Sequence, residues 1–456
     1  MKPLYRLLIS LAGSVLLLGS CRKFVEIEPA PNLIETQKIF ENKSTALSAV
    51  SSVYAQMRFS ARSLTNGGLS VFGGLLADEL YNTVSSPSAD PFLNNNLLSN
   101  NAIVTTDFWS SAYSNIYRIN AILEALPQSV SLPDTLRRQL MGEMKVTRAL
   151  YYFYLVNLFG DVPLVTNTDY ERNAIAGRTA TDSIYRFLVA ELTEAKTMLR
   201  IAYPSIQRTR PNLYTASCLL SRVYLYLQNW EQAKVESFAV IAAGIYSLNP
   251  NLNACFQISS NETIWQVASD NSNSSEGSFF LPSSSSVRPQ YAMADQLLNQ
   301  FETGDLRKLN WLRKNTVAGR DYYYPAKFKD RSAGPVTEYD IVFRLAEQYL
   351  IRAESNIQLG DPAGALEDIN ILRGRAGLPF LATIDNSELR DAVFKERQTE
   401  LFAEWGHRWL DLKRTGMANA VLSVVKGANW QFTDALMPIP FLQLQVNPNL
   451  NQNPGY

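Results

Sequence analysis

Apolar residues recur at helical spacing along most of the chain. From Pro133 to Phe159, Leu136, Leu140, Met144, Ala149, Phe153 and Val156 trace one face of a predicted helix, which Gly160-Asp161-Val162-Pro163 stops. Similar segments run from Ser44 to Phe59, from Phe108 to Leu126 where Pro127 ends them, and from Thr181 to Leu199 with Asp182 able to cap. Leu213 to Leu227 and Trp230 to Ala243 are joined by almost nothing, which predicts an αα-hairpin. The same arrangement recurs at Tyr339 to Leu359 and Pro362 to Ala376, with Gly360-Asp361-Pro362 supplying stop, cap and restart. Arg148-Ala149, Arg222-Val223 and Arg352-Ala353 hold similar places in their helices, 74 and 130 residues apart, so degenerate tetratricopeptide-type pairs must be interrupted by insertions.

Two stretches break the helical period. Residues 67–107 are rich in Gly, Ser and Asn and read as an irregular excursion. Residues 245–338 contain Glu262-Thr263-Ile264-Trp265-Gln266-Val267, which alternates like a strand, then a Ser/Asn-rich run and Tyr322-Tyr323-Tyr324-Pro325, so short strands and long loops are expected. Long loops of this kind are uncommon unless they serve a function. In the tail from Gln431 to Tyr456, the prolines and asparagines exclude a regular helix.

The run Glu396 to Gly416 is unusual for its charges. Arg397, Glu400, Glu404 and Arg408 stand three or four residues apart and could pair along one helical face, beside an apolar stripe of Leu401, Phe402, Trp405, Trp409 and Leu412. Charged rows beside so wide a stripe predict a helix packed on several sides. The only histidine, His407, lies inside it and is expected to be packed or paired.

At the N-terminus, Lys2 and Arg6 precede the apolar run Leu7 to Leu18, and Leu18-Gly19-Ser20-Cys21 closes it. This is the layout of an export signal over residues 1–20, with a run too short to span a bilayer comfortably. Residues 21–36, with Pro29, Pro31 and Asn32, read as an extended tether, and residues 37–456 as one domain. Charge changes the picture little: 42 basic residues balance 42 acidic ones, leaving no field to draw in nucleic acid. Cys218, in an apolar stretch, and Cys255 remain after Cys21, and Cys218 is expected to be a buried free thiol.

These motifs together resemble the SusD/RagB family of Bacteroidetes outer-membrane lipoproteins. The resemblance rests on the lipobox-like ending at Cys21, Arg148-Ala149 through Phe159-Gly160-Asp161-Val162-Pro163, and the Arg352-Ala353-Glu354 helix pair. It rests further on Glu396-Arg397 through Glu404, Arg408, Asp411, Leu412 and Arg414, and on Pro438-Ile439-Pro440 to Asn453-Pro454-Gly455-Tyr456. It implies a mainly α-helical fold with about four tetratricopeptide-like helix pairs and an irregular ligand-facing region. It implies lipidation at Cys21, anchoring in the outer membrane facing outward, and capture of a glycan for a SusC-like TonB-dependent transporter, without catalysis. It also leaves open an oligopeptide ligand.

A pyranose offers apolar C–H faces and a ring of hydroxyls, so its site needs an aromatic platform beside side chains that donate and accept at the edge. Both insertions hold that mixture. The candidates are Tyr81, Asn82, Asn95 and Asn96 in the first, and Phe279, Phe280, Arg288, Tyr291, Trp311 and Tyr322 in the second. Each aromatic among them also has the bland reading of core packing. Trp109 and Trp265 are assigned to the core, and Asp78-Glu79 to a cap or loop contact rather than a binding pair. A glycosidase, whose two carboxylates can be distant in sequence, stays open as an alternative. No His-Glu-x-x-His or Gly-x-Ser-x-Gly occurs, and nothing points to a metal or cofactor.

Overall fold

The computed structural model describes residues 38–456 apart from residue 270. The signal segment, Cys21 and tether expected over residues 1–36 lie outside the described residues.

The longer helices in the first half are α1 (Lys43–Met57), α2 (Leu69–Leu76), α3 (Ser111–Ala125), α4 (Asp134–Phe159), α5 (Thr181–Met198), α6 (Leu213–Tyr226) and α7 (Trp230–Ile241). In the second half they are α8 (Leu345–Gln358), α9 (Pro362–Arg375), α10 (Asn386–Leu401), α11 (His407–Arg414) and α12 (Ala418–Lys426). The pairs α1/α3, α4/α5, α6/α7 and α8/α9 stack in that order, each packing on the next, and α10 closes the stack against α8 and α9. The local signals act where expected at α6 and α9: Asn212 and Thr215 cap each other's backbone at the start of α6, and Asp361 accepts from Gly364 N at 3.0 Å at the start of α9. Asp182 is not the cap of α5. That role falls to Asp161, 20 residues earlier, whose Oδ1 accepts from both Thr181 N and Thr181 Oγ1 at 2.8 Å.

Helix α4 is buried all round from Leu140 on rather than along one face, because α3, α5 and α6 surround it. Its charges are therefore compensated inside: Glu143 accepts from Arg210, while Arg148 and Lys145 both bond Glu191.

The segment 67–107 is far more ordered than its composition predicts. A π-helical turn (Leu64–Gly68) runs into α2, all eight residues of which are buried. Small residues are there for close packing rather than flexibility: a Cβ on Gly73 would sit 2.6 Å from Gly406 Cα. A second π-helical stretch, Ile103–Ser110, leads into α3, so helical structure starts before Phe108.

Three two-stranded antiparallel sheets fill the long insertion and its neighbours. β1 (Leu80–Asn82) pairs with β3 (Tyr291–Met293), β2 (Thr263–Val267) with β6 (Asp340–Arg344), and β4 (Leu312–Val317) with β5 (Arg320–Pro325). The helix expected from Tyr339 therefore begins only at Leu345, since Ile341, Val342 and Phe343 favour the ladder with β2. The β4–β5 turn is Ala318-Gly319, both at positive φ, the two-residue loop that matches strand twist. The tail does contain one short helix, Phe441–Val446, starting directly after Pro440.

The charged run Glu396 to Gly416 is two helices, not one. Ala403, Trp405 and Gly406 all have positive φ and turn the chain between α10 and α11. Arg397 Nε donates to Asp411 Oδ2 at 2.7 Å across the break, while the other charges pair with other segments: Glu400 meets Arg307, Arg344 and Arg375, Glu404 meets Arg344 and Lys327, and Arg408 meets Asp78. His407 is packed, as expected, and burial holds its imidazole down at about 4. Cys218 and Cys255 are both free and buried.

Candidate functional site: a cleft beside Tyr81

The β1–β3 ladder brings the two insertions together. Tyr81 lies opposite Ala292 and Asn82 opposite Tyr291, and β3 in turn lies against β5, which starts at Arg320. The hairpin tip thus carries the Arg320 guanidinium over two rings, 6.0 Å from the centroid of Tyr81 and 5.1 Å from that of Tyr322. Tyr81 is half-buried; burial raises its hydroxyl pKa and the nearby Arg320 holds it back.

Tyr81 and Arg320 line a cleft of about 410 Å³ with Asn94, Asp295, Gln296 and Asn429 on its rim. Its deeper charges are already paired. Asp78 accepts two hydrogen bonds from Arg408, both 2.7 Å, and Lys426 donates to the carbonyls of Leu75 at 2.7 Å and Leu93 at 3.0 Å. Burial lowers Lys426 to about 8. What remains available is one aromatic ring, one guanidinium, the exposed Asp295 and three exposed side-chain amides. Such a set can pack an apolar ring face and answer a row of hydroxyls with donors and acceptors.

The other residues singled out from sequence divide by burial. Asn82 braces the loop behind the cleft, its Nδ2 donating to Asp90 Oδ1 at 2.7 Å. Asn95 and Asn96 line a neighbouring concavity. Tyr322 lies beneath Arg320, largely covered. Phe280 and Tyr291 pack edge-to-face in the core, and Phe279 packs over Gly67, where a Cβ would meet its ring at 2.7 Å. Trp311 is wholly buried, its Nε1 donating to Leu252 O at 2.8 Å, and with no exposed face it is a packing residue. Arg288 is exposed in the Ser-rich loop, outside the cleft.

Sequence reasoning missed Arg320, Asp295, Asn94, Lys426 and Asn429. Only Arg320 had a local signal, since Ala-Gly between two alternating runs marks a hairpin tip. The others reach the cleft from separate elements that only the fold assembles.

Two family models match the chain: "SusD family" over residues 312–456 and "Starch-binding associating with outer membrane" over residues 78–225. This chain belongs to the SusD/RagB family. The family likeness extends along the whole chain in SusD-like protein P25 of Formosa agariphila, 27% identical over 96% of this chain and 97% of that one. Starch-binding protein SusD of Bacteroides thetaiotaomicron is 34% identical over 31% of this chain and 25% of its own length. Among solved structures, a laminarin-binding SusD-like protein superposes with a TM-score of 0.78 at 25% identity, covering 91% of this chain and all of that one (100%). A SusD superfamily protein from Bacteroides vulgatus, at 18% identity and a TM-score of 0.80 over 91% of this chain and 100% of that one, shares the fold.

Proposed function

We propose that this chain is a glycan-binding lipoprotein of the outer membrane, anchored through Cys21 and facing outward, which captures oligo- or polysaccharide and passes it to a SusC-like TonB-dependent transporter. The observation that carries the reading is the cleft itself: a half-buried Tyr81 ring and Arg320 amid neutral amides, with the deeper charges tied up by protein partners. The laminarin-binding relative and the starch-binding SusD support a carbohydrate ligand. The family model described as associating with the outer membrane supports the location.

The role is binding without turnover. A glycosidase requires a pair of carboxylates about 5–10 Å apart, one acting as acid. In the cleft Asp78 is committed to Arg408 by two hydrogen bonds, which leaves Asp295 alone at the rim.

The test is isothermal titration of the soluble protein, made without residues 1–21, against panels of polysaccharides and oligopeptides. Glycan binding is expected, and Tyr81→Ala should weaken it by at least about tenfold, or 1.4 kcal/mol. Binding of peptides alone would reject the reading, and hydrolysis of any oligosaccharide by the purified protein would overturn the absence of turnover. Lipid on Cys21 is checked by mass spectrometry of the membrane-extracted chain, and the transporter by its co-purification in detergent.

A further inference from the structure

A second cleft, of about 510 Å³, opens between α3, the loop after α4 and the C-terminal tail. It shares no lining residue with the cleft beside Tyr81. Its floor follows from sequence spacing: Trp109, Tyr113 and Tyr117 recur every fourth residue and so stand on one helical face. The Trp109 and Tyr113 rings lie 5.0 Å apart, and exposure grows along the row, from 3% at Trp109 to 52% at Tyr117. The row starts in the core and ends in the open cleft. Tyr170, on the short helix Tyr170–Ala174, adds a ring that is 81% exposed.

The walls are fixed by bonds that leave these outer rings free. The Tyr113 hydroxyl donates to Pro163 O at 2.8 Å, and Asn173 Nδ2 to Asn167 O at 3.0 Å. Asn447 Nδ2 donates to Ala176 O at 2.8 Å, tying the tail to the segment that carries Tyr170. By contrast, the hydroxyls of Tyr117 and Tyr170 and the side-chain amide of Gln443 bond to none of the described residues.

Charge narrows the ligand. None of the thirteen residues lining this cleft is charged, although charged residues make up 18% of the chain and four of them line the Tyr81 cleft. A carboxylate, phosphate or ammonium entering here would give up water and meet no opposite charge. Exposed rings gathered in a concavity mark a binding site. A neutral sugar meets both features: its C–H face covers an aromatic ring while its hydroxyls reach the free phenol and amide groups.

We infer that this cleft is a second carbohydrate site, separate from the first, which holds a neutral sugar unit against Tyr117 and Tyr170. The inference rests on the glycan reading for the kind of ligand and on this cleft for the place. Its consequence is attachment at two points. With one site filled, a polymeric glycan meets the other intramolecularly, which strengthens retention without tightening either site.

The experiment is saturation-transfer NMR, which reads weak binding, with laminari-, malto-, xylo- and mannohexaose and the protein made without residues 1–21. Four proteins are compared: wild type, a first-cleft variant (Tyr81→Ala with Arg320→Ala), a second-cleft variant (Tyr117→Ala with Tyr170→Ala), and all four changes together. Tyr117, Tyr170 and Arg320 are exposed and Tyr81 is half-buried, so the variants should fold, with melting temperature as the control. Signal from the bound hexaose should survive in the first-cleft variant, be unmoved by added salt, and vanish when all four are changed. In affinity electrophoresis through the matching polysaccharide, the second-cleft variant should lose about tenfold in retention, while the titrated hexaose affinity of the Tyr81 cleft stays within about twofold. The second site is overturned if the first-cleft variant loses every signal, if signal persists with all four changed, or if retention is unmoved; the Tyr81 titration still decides the first site. If oligopeptides bind and the second-cleft variant abolishes that binding, the cleft belongs to a peptide partner instead. If wild type binds no sugar, both readings fall.

Discussion

Glu79 lies directly behind the cleft wall, 2% exposed, next to an Asp78 already paired with Arg408. Burial first, and the Asp78 charge second, raise its carboxyl to about 8, so it is held protonated at neutral pH. The sign follows. A carboxyl whose folded value is raised binds its proton more tightly folded than unfolded, so its contribution is complete below about 4.5 and fades as pH climbs towards 8. Glu79→Gln keeps the shape without the ionisation. Urea unfolding from pH 5 to 8.5 should show wild type losing about 2–5 kcal/mol relative to the variant, with the gap opening at the alkaline end. A gap independent of pH would mean that Glu79 is charged in the fold. At Gly73 the constraint is steric. Alanine is the better helix former by about 1 kcal/mol, yet its methyl would overlap the backbone at Gly406, and overpacking typically costs about 1–3 kcal/mol. Gly73→Ala should therefore lower stability by about 2 kcal/mol in chemical denaturation, where helix propensity alone predicts a gain.

Between elements, most of the α10–α11 charges are anchors to distant strands and loops. Arg344, at the end of β6, bonds Glu262 on the segment leading into β2, and Glu400 and Glu404 near the α10 break, at 3.0 Å for Glu400 and 2.9 Å for Glu404 Oε2. Lys327, Arg375 and Arg307 complete the buried net, with Lys327, Arg344 and Arg375 over the ring of Trp311. All of these side chains are almost wholly covered, so desolvation is paid whether or not the partner is present. Arg344→Met should take a cation from three buried carboxylates, each left with one or two remaining partners, and cost about 3–5 kcal/mol in denaturant unfolding. An exposed pair such as Lys314–Asp321 is worth at most about 1 kcal/mol. A loss that small for Arg344→Met would show that the net is solvated.

Across the whole molecule, the tail is stitched to the middle of the stack. Asn453 Nδ2 donates to Phe159 O at 2.9 Å and Met437 O at 2.7 Å, and its Oδ1 accepts from Arg178 at 2.6 Å. The end of α4 and the tail, nearly 300 residues apart, therefore share one buried amide. Asn453→Ala removes three hydrogen bonds and leaves buried partners unmet, for an expected loss of about 2–4 kcal/mol read as a lower thermal midpoint. Hydrogen exchange should open residues 437–456 first in that variant, because the tail's own short helix buries nothing.

What the sequence determined by itself is local. Period, caps and stop signals located α4 to α9 with ends that moved by at most about six residues, because a helix boundary is decided by groups within one turn. The families of motifs also identified the fold and the two insertions that meet at the cleft. Tertiary structure decided the rest. Glycine and serine in residues 67–107 read as loop, and only the approach of Gly406 shows that Gly73 is small because a second backbone touches it. The charges of Glu396 to Arg414 read as one ladder, and only the turn at Ala403 to Gly406 sends them to separate partners. Tyr81 and Trp311 were equal candidates as aromatics; the fold leaves the first half-open beside Arg320 and closes the second under three cations. Burial is a sum over neighbours far away in the chain, and no local pattern carries that sum.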